Sequence, residues 1–119
     1  MLKVFLHKNF SSRSYFLTNG KLIFHRYCDS GFKTKWTGLW LYDEKFLEYF
    51  AFKVNGEWLS PQNVFSFEFD GKVATHYYKL KEMKVKEVLW LSGNSLKIML
   101  ELENETEEEK EVERMHYWI

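Results

Sequence analysis

The stretch from Gly38 to Gly56 reads GLWLYDEKFLEYFAFKVNG and decides the fold class. Within it, Phe50 to Val54 alternate large apolar residues with a small or charged one, and Asn55-Gly56 follows at once. A period of two is typical of a strand that buries one face. An Asn-Gly pair suits a type I′ hairpin turn because both central residues need a positive φ angle. The segment therefore predicts antiparallel β-structure.

Further turn signals and alternating runs extend this prediction along the chain. Asn19-Gly20, Asp70-Gly71 and Ser92-Gly93-Asn94 each separate two short apolar runs, which favours a meander of hairpins. The run Phe65-Ser66-Phe67-Glu68-Phe69 is expected to place its phenylalanines on one face, and Leu96 to Leu102 is expected to do the same with its aliphatic residues.

Sheets with one apolar face need a second layer, and the sequence offers no long amphipathic helix to supply it. We therefore predict one all-β domain over residues 1–119: an antiparallel β-sandwich, supersandwich-like, with at most one or two short helical turns. Asp43 to Leu47 could form one such turn, with Asp43 as its N-cap. Thr106 to Met115 is rich in glutamate and could be helical, but the alternation from Lys110 to Trp118 favours a final strand.

Composition argues against several classes of function. Lys+Arg and Asp+Glu both number 17, so the net charge is +0 and neither nucleic acid nor a membrane surface is an expected partner. The single cysteine, Cys28, is expected to be a packed thiol, and the four histidines show no metal-ligand spacing. No signal peptide or membrane-length apolar run is visible, so a cytoplasmic location is expected. Lys and Glu dominate the charged residues, as in proteins from hot environments.

Aromatic residues carry the functional hypothesis, because the sequence lacks a phosphate loop, a GxSxG motif and an HExxH motif. No catalytic residue, metal or cofactor is therefore predicted. Aromatic residues make up 19% of the chain, more than a core of this size requires. Trp36, Trp40 and Tyr42 are candidate carbohydrate-binding residues, since an aromatic ring stacks on the apolar side of a pyranose. The alternative is that these rings fill the core or a domain interface.

Four segments together resemble the N-terminal domain of glycogen-debranching enzymes and related amylo-α-1,6-glucosidases. They are Tyr15 to Gly20 (YFLTNG), Gly38 to Leu47 (GLWLYDEKFL), Val85 to Leu91 and Leu96 to Thr106. In that family F-L-x-T-x-x-G leads to G-L-[FY]-x-x-D-T-R-F-L-S, and a later strand has the pattern L-x-L-x-N-x-[ST]. This chain departs from the family at Asp43-Glu44-Lys45, where D-T-R is common and the arginine would be a bidentate donor.

The resemblance implies a non-catalytic accessory domain. Family members continue into a longer sandwich and an (α/α)6 barrel with the catalytic carboxylates, whereas this chain ends at Ile119. The implied partners are a catalytic barrel and an α-glucan, with Asp43 and Lys45 as candidate domain-interface residues, and no hydrolase activity is expected of the chain alone. A shortened sandwich would leave an apolar face uncovered, so a homodimer is expected. The alternatives are a free-standing carbohydrate-binding domain and a protein-interaction module.

Overall fold

A computed structural model describes residues 4–5, 11–104 and 111–118 of the chain, and the predicted β-sandwich is present. Across these residues the one helical segment is the three-residue 3-10 turn Pro61–Asn63, and no helix is long enough to cross a membrane. The strands are β1 Val4–Phe5, β2 Ser14–Thr18, β3 Leu22–Tyr27, β4 Gly38–Leu41, β5 Glu44–Val54, β6 Glu57–Trp58, β7 Val64–Phe69, β8 Val73–Lys79, β9 Met83–Ser92, β10 Ser95–Asn104 and β11 Val112–Trp118.

The strands form two antiparallel sheets. The first sheet has the order β1-β7-β8-β9-β10, and the second has the order β11-β5-β4-β3-β2, with β6 also paired to β5. Most neighbours within a sheet are consecutive in the chain, as a meander of hairpins requires. The two sheets pack face to face around one hydrophobic core, whereas all residues of the edge strand β11 are exposed.

All four predicted turns connect neighbouring antiparallel strands. Asn55 and Gly56 have φ angles of 50° and 83° and form the two-residue turn between β5 and β6. This pair of positive angles is the requirement of a type I′ turn. The other three predicted turns lie between β2 and β3, β7 and β8, and β9 and β10.

The helical turn expected at Asp43 to Leu47 is wrong. Tyr42 and Asp43 instead form a hairpin turn, because Leu41 pairs with Glu44 and β5 begins there. Tyr42 has a φ angle of 56°, so the first turn residue takes the left-handed conformation. The aromatic residues that follow favour an extended strand, and this preference outweighs one capping interaction.

The prediction that the three phenylalanines of β7 share one face is confirmed for Phe67 and Phe69 and is wrong for Phe65. Phe67 is buried, with 1% exposure, and Phe69 packs against the core, whereas Phe65 is 46% exposed. The pairing of β7 with β8 shifts register at Phe65, so this residue occupies a bulge. Its ring therefore lies on the outer face, beside Tyr77.

The predictions for the last two strands agree with the structure. The aliphatic residues of β10, from Leu96 to Leu102, pack against the core, and its charged residues are exposed. β11 pairs with β5 along its length, so a helix over the described residues 112–115 is excluded. The stretch from Thr106 to Lys110 lies outside the described residues.

Polar contacts cross the core between the two sheets. Arg26 Nη1 in β3 donates to Glu87 Oε1 in β9 at 2.9 Å. The Tyr15 hydroxyl in β2 lies 2.8 Å from Nε2 of His76 in β8. Cys28 is the packed thiol that the sequence predicted, and burial raises the pKa of this thiol to about 11. Neither cross-sheet pair was predicted from the sequence.

Candidate functional site

The candidate carbohydrate-binding residues lie together on the outer face of the second sheet. They line an open groove with a volume of about 550 Å³, which we call the aromatic groove. Asp43, which the sequence predicted as a domain-interface residue, is exposed and also lines this groove. The lining residues are Phe16, Ile23, His25, Trp36, Trp40, Tyr42 and Asp43.

Strand pairing assembles the floor of the aromatic groove. Phe16 of β2 pairs with His25 of β3, and Ile23 of β3 pairs with Trp40 of β4. Directly opposite residues in an antiparallel pair project from the same face. The residues that alternate with them on β2 and β3 are buried in the core, as is Leu39 of β4. The groove is therefore the outward face of the strands whose inward face forms the sandwich interior.

Trp36 and Trp40 form the aromatic wall of the groove. Their ring centres are 6.2 Å apart and their planes differ by 23°. Trp40 Nε1 donates to the carbonyl oxygen of Trp36 at 3.0 Å, which ties the ring to the backbone of the preceding loop. Trp36 is 60% exposed. Because the indole N–H of Trp40 is already bonded within the protein, the pair offers mainly apolar ring surface to a ligand.

His25 contributes an acceptor that has no partner. Its Nδ1 lies 3.1 Å from the carbonyl oxygen of Trp36. Since a carbonyl can only accept, we assign the ring proton to Nδ1, which leaves Nε2 as an acceptor. Nε2 makes no hydrogen bond, and the residue is 9% exposed. Phe16 covers the imidazole in a parallel stack, with ring centres 4.2 Å apart.

Lys45 supports the groove from the neighbouring strand. Its Nζ lies 5.7 Å from the ring centre of Trp40, donates to the carbonyl oxygen of Lys35 at 3.0 Å and pairs with Glu48 at 2.8 Å. These contacts hold the loop that carries Trp36 against β4 and β5. The charge of Lys45 is thus engaged within the domain, and its contact with another domain stays a prediction, as does that of Asp43.

Gly38 permits the backbone to enter β4 next to β5. A Cβ atom at this position would lie 2.3 Å from the carbonyl oxygen of Leu47, and the φ angle of Gly38 is 120°. Only glycine adopts such an angle without strain. The β4–β5 register shifts between Leu39 and Trp40, immediately after this close approach. The glycine therefore allows the turn of backbone that places Trp40 on the groove side.

The aromatic groove combines stacking surface, one unpartnered acceptor and one carboxylate. These features suit a neutral ligand that has both an apolar face and hydroxyl groups. Across the described residues, no group of three His, Cys, Asp or Glu side chains is arranged to hold a metal ion.

No known protein family, curated protein or solved structure matches this chain. The resemblance to debranching enzymes therefore rests on the sequence motifs, and the function has to be argued from the groove itself.

Sequence reasoning missed three groove residues: Phe16, Ile23 and His25. Alternation along β2 and β3 places all three opposite the core residues, so their common face was readable from the hairpin around Asn19-Gly20. A two-residue turn there would pair Phe16 with Ile23, whereas the longer observed turn pairs Phe16 with His25. The face is the same in both registers, because the shift equals one strand period.

Proposed function

We propose that this domain is a non-catalytic carbohydrate-binding module that holds an α-glucan in the aromatic groove. The observation that carries the proposal is the exposed Trp36–Trp40 pair, with Tyr42 beside it in the β4–β5 turn. Rings on a folded surface, with an apolar face open, provide the stacking that pyranose recognition requires. The choice of α-glucan, and an association with a catalytic (α/α)6 barrel, follow from the sequence resemblance.

Polar features of the groove support a sugar over a purely apolar ligand. The Nε2 atom of His25 and the carboxylate of Asp43 are hydrogen-bond acceptors, and each hydroxyl of a sugar is a donor. A shift of the Phe16 ring would open His25 to the ligand. The chain has a net charge of +0, which suits a neutral polyol. A buried acceptor that gains a donor recovers the free energy lost when it left water.

The proposal is tested by titrating the protein with maltooligosaccharides and soluble glycogen while tryptophan fluorescence is recorded. Saturable quenching is expected, because the groove contains two of the five tryptophans. Trp36→Ala should weaken binding by about tenfold, equivalent to about 1.4 kcal/mol. Phe65→Ala is the control, since Phe65 is also an exposed aromatic residue but lies on the first sheet, outside the groove. A flat titration of the folded protein would overturn the proposal.

We also propose that the domain self-associates through β11. This strand is at the edge of the second sheet, and all of its residues are exposed, including Met115, Tyr117 and Trp118. An exposed edge strand with apolar side chains is a template for pairing with another strand. A two-fold dimer pairs β11 with its copy, since an isologous contact uses the same surface on both partners.

A further inference from the structure

A second aromatic cluster lies on the outer face of the second sheet. Tyr49 of β5 pairs with Tyr117 of β11, and their rings stack with centres 5.8 Å apart and planes 4° apart. Trp58 of β6 is half exposed and lies 5.4 Å from the Lys53 ammonium, measured to the ring centre. Tyr49, Trp58 and Met115 line an open groove of about 640 Å³, which we call the second groove.

The second groove and the aromatic groove share one face of the sheet. On β5 the inward residues are Phe50, Phe52 and Val54, all buried, so the residues between them project outward. On the same strand, Lys45 lies beside Trp40 of the aromatic groove, and Tyr49 lies in the second groove. Lys45 and Tyr49 are four residues apart, which corresponds to at most about 13 Å, because both pairings of β5 shift register between them. The two grooves are therefore neighbours along one strand.

Each groove contains a buried polar side-chain atom without a hydrogen bond. Within the described part of the chain there are two such atoms: Nε2 of His25, in the aromatic groove, and Oγ of Ser30, in the second groove. Ser30 is 5% exposed and has a φ angle of 71°, which is uncommon outside glycine. Burial and the Glu87 carboxylate raise the pKa of the nearby Tyr78 hydroxyl well above its ordinary value, and the Ser30 side chain opposes this rise by a smaller amount.

We infer that the ligand of this domain is an extended oligosaccharide chain that spans both grooves. This inference rests on the proposed function of the aromatic groove. A chain of sugar rings repeats the same two features, an apolar ring face and hydroxyl donors, and each groove offers the complement of both. A ligand limited to the aromatic groove would not contact Tyr49, Trp58 or Ser30 of the second groove.

The test compares maltotriose, which fills one groove, with maltodecaose, which is long enough to reach both. Binding of each sugar is measured by isothermal titration calorimetry. Maltodecaose is expected to bind at least about tenfold more tightly per molecule, beyond the statistical gain from its extra glucose units. Trp58→Ala should abolish that gain and leave the affinity for maltotriose unchanged. Phe65→Ala, the control on the first sheet and outside both grooves, should preserve both affinities.

The two titrations distinguish failure of this inference from failure of the proposed function on which it rests. If neither sugar binds, the proposed function fails. If maltotriose binds but maltodecaose gains only the statistical factor, or if Trp58→Ala keeps the full gain, the extended-chain inference alone is overturned. Ser30→Ala provides a second variant should Trp58→Ala not fold, because it removes one buried hydroxyl without adding bulk. It should reduce the affinity for maltodecaose and spare that for maltotriose.

Discussion

The guanidinium of Arg26 and the carboxylate of Glu87 meet 2.9 Å apart between the two sheets, with 3% and 1% of their side chains exposed. Arg26 also lies 4.8 Å from the ring centre of Phe32 and 4.7 Å from that of Phe50. Burial is the largest single influence on the pKa of Arg26 and would lower it, but the Glu87 carboxylate, together with Tyr78 and Tyr15, raises this pKa above its ordinary value. Arg26 and Glu87 therefore form a buried ion pair that links the two sheets.

Glu87→Ala should destabilise the fold by about 3–5 kcal/mol, because it leaves the Arg26 charge buried and unpaired. The Tyr78 hydroxyl, which donates to the same Glu87 oxygen at 2.8 Å, loses its acceptor as well. The measurement is the free energy of unfolding from urea denaturation at neutral pH.

The double variant Arg26→Met/Glu87→Leu is the control for this prediction. It replaces both charges by apolar side chains of similar size but leaves the buried Tyr78 hydroxyl without its acceptor, so it should lose about 1–3 kcal/mol, less than Glu87→Ala loses. If the double variant were as unstable as Glu87→Ala, the unpaired charge would not be the cause of the loss.

Stability should fall as the pH drops below about 6.5, the ordinary pKa of histidine, because of His76. Burial, together with the nearby Arg26 charge, holds the pKa of His76 well below 6.5 in the folded protein. The neutral ring suits its contacts, since Nδ1 faces the Cys28 carbonyl and Nε2 can accept from the Tyr15 hydroxyl. Below pH 6.5 the unfolded chain binds a proton at His76 that the folded chain does not bind. The contribution of His76 to stability is therefore complete above pH 6.5 and is lost progressively as the pH falls below it.

The expected slope from this one histidine is about 1.4 kcal/mol per pH unit between roughly pH 6 and pH 5. Urea denaturation across this range measures it. The double variant Tyr15→Phe/His76→Phe removes both the titrating ring and the hydroxyl that would lose its partner. For this variant, the slope of the free energy of unfolding against pH should be smaller by about 1.4 kcal/mol per pH unit. An unchanged slope would show that His76 is not the cause of the pH dependence.

Gly38→Ala should destabilise the domain more than Gly93→Ala does. Both glycines have positive φ angles, for which a side chain costs about 1–2 kcal/mol. An added Cβ at Gly93 meets nothing within 4 Å, whereas at Gly38 it would lie 2.3 Å from a backbone oxygen. The close contact should add about 1–3 kcal/mol. Thermal unfolding of the two variants gives the comparison, and equal losses would contradict the close approach of β4 and β5.

Local sequence signals predicted the elements of this fold because turns and alternation are encoded within a few residues. Asn55-Gly56 supplies both positive φ angles that its turn needs, and the aliphatic period of β10 matches its buried face. Alternation gave the wrong face for Phe65, because a bulge at this residue shifts the register of β7 and turns its side chain outward. The helical turn expected at Asp43 failed because strand pairing decided its conformation.

The candidate site was predictable in part. Trp36, Trp40 and Tyr42 are close in sequence, and a single hairpin places them together. His25 and Phe16 come from other strands, and their place in the groove depends on cross-strand register. Arg26 and Glu87 are 61 residues apart and belong to different sheets, so no local pattern relates them. Contacts between layers depend on how the sheets stack, which a period of two does not specify.

Val112→Lys should convert a dimer into a monomer if β11 pairs with its own copy. Antiparallel pairing centred on Met115 sets Val112 opposite Trp118 of the second copy, so a lysine there would bring a charged ammonium into the dimer contact, where it loses its water. Exposed lysines are a common means by which edge strands avoid pairing. Sedimentation velocity at micromolar concentrations measures the change, with the parent protein expected to sediment as a dimer.

Met99→Lys is the matched control, since Met99 lies on β10, the edge strand of the first sheet, and is about as exposed as Val112. A dimer formed through β11 should tolerate a charge at Met99. Loss of the dimer in both variants would show that the interface is not formed by β11 alone. A parent protein that sediments as a monomer would remove self-association from the functions of this strand and leave β11 as an edge that a different protein must cover.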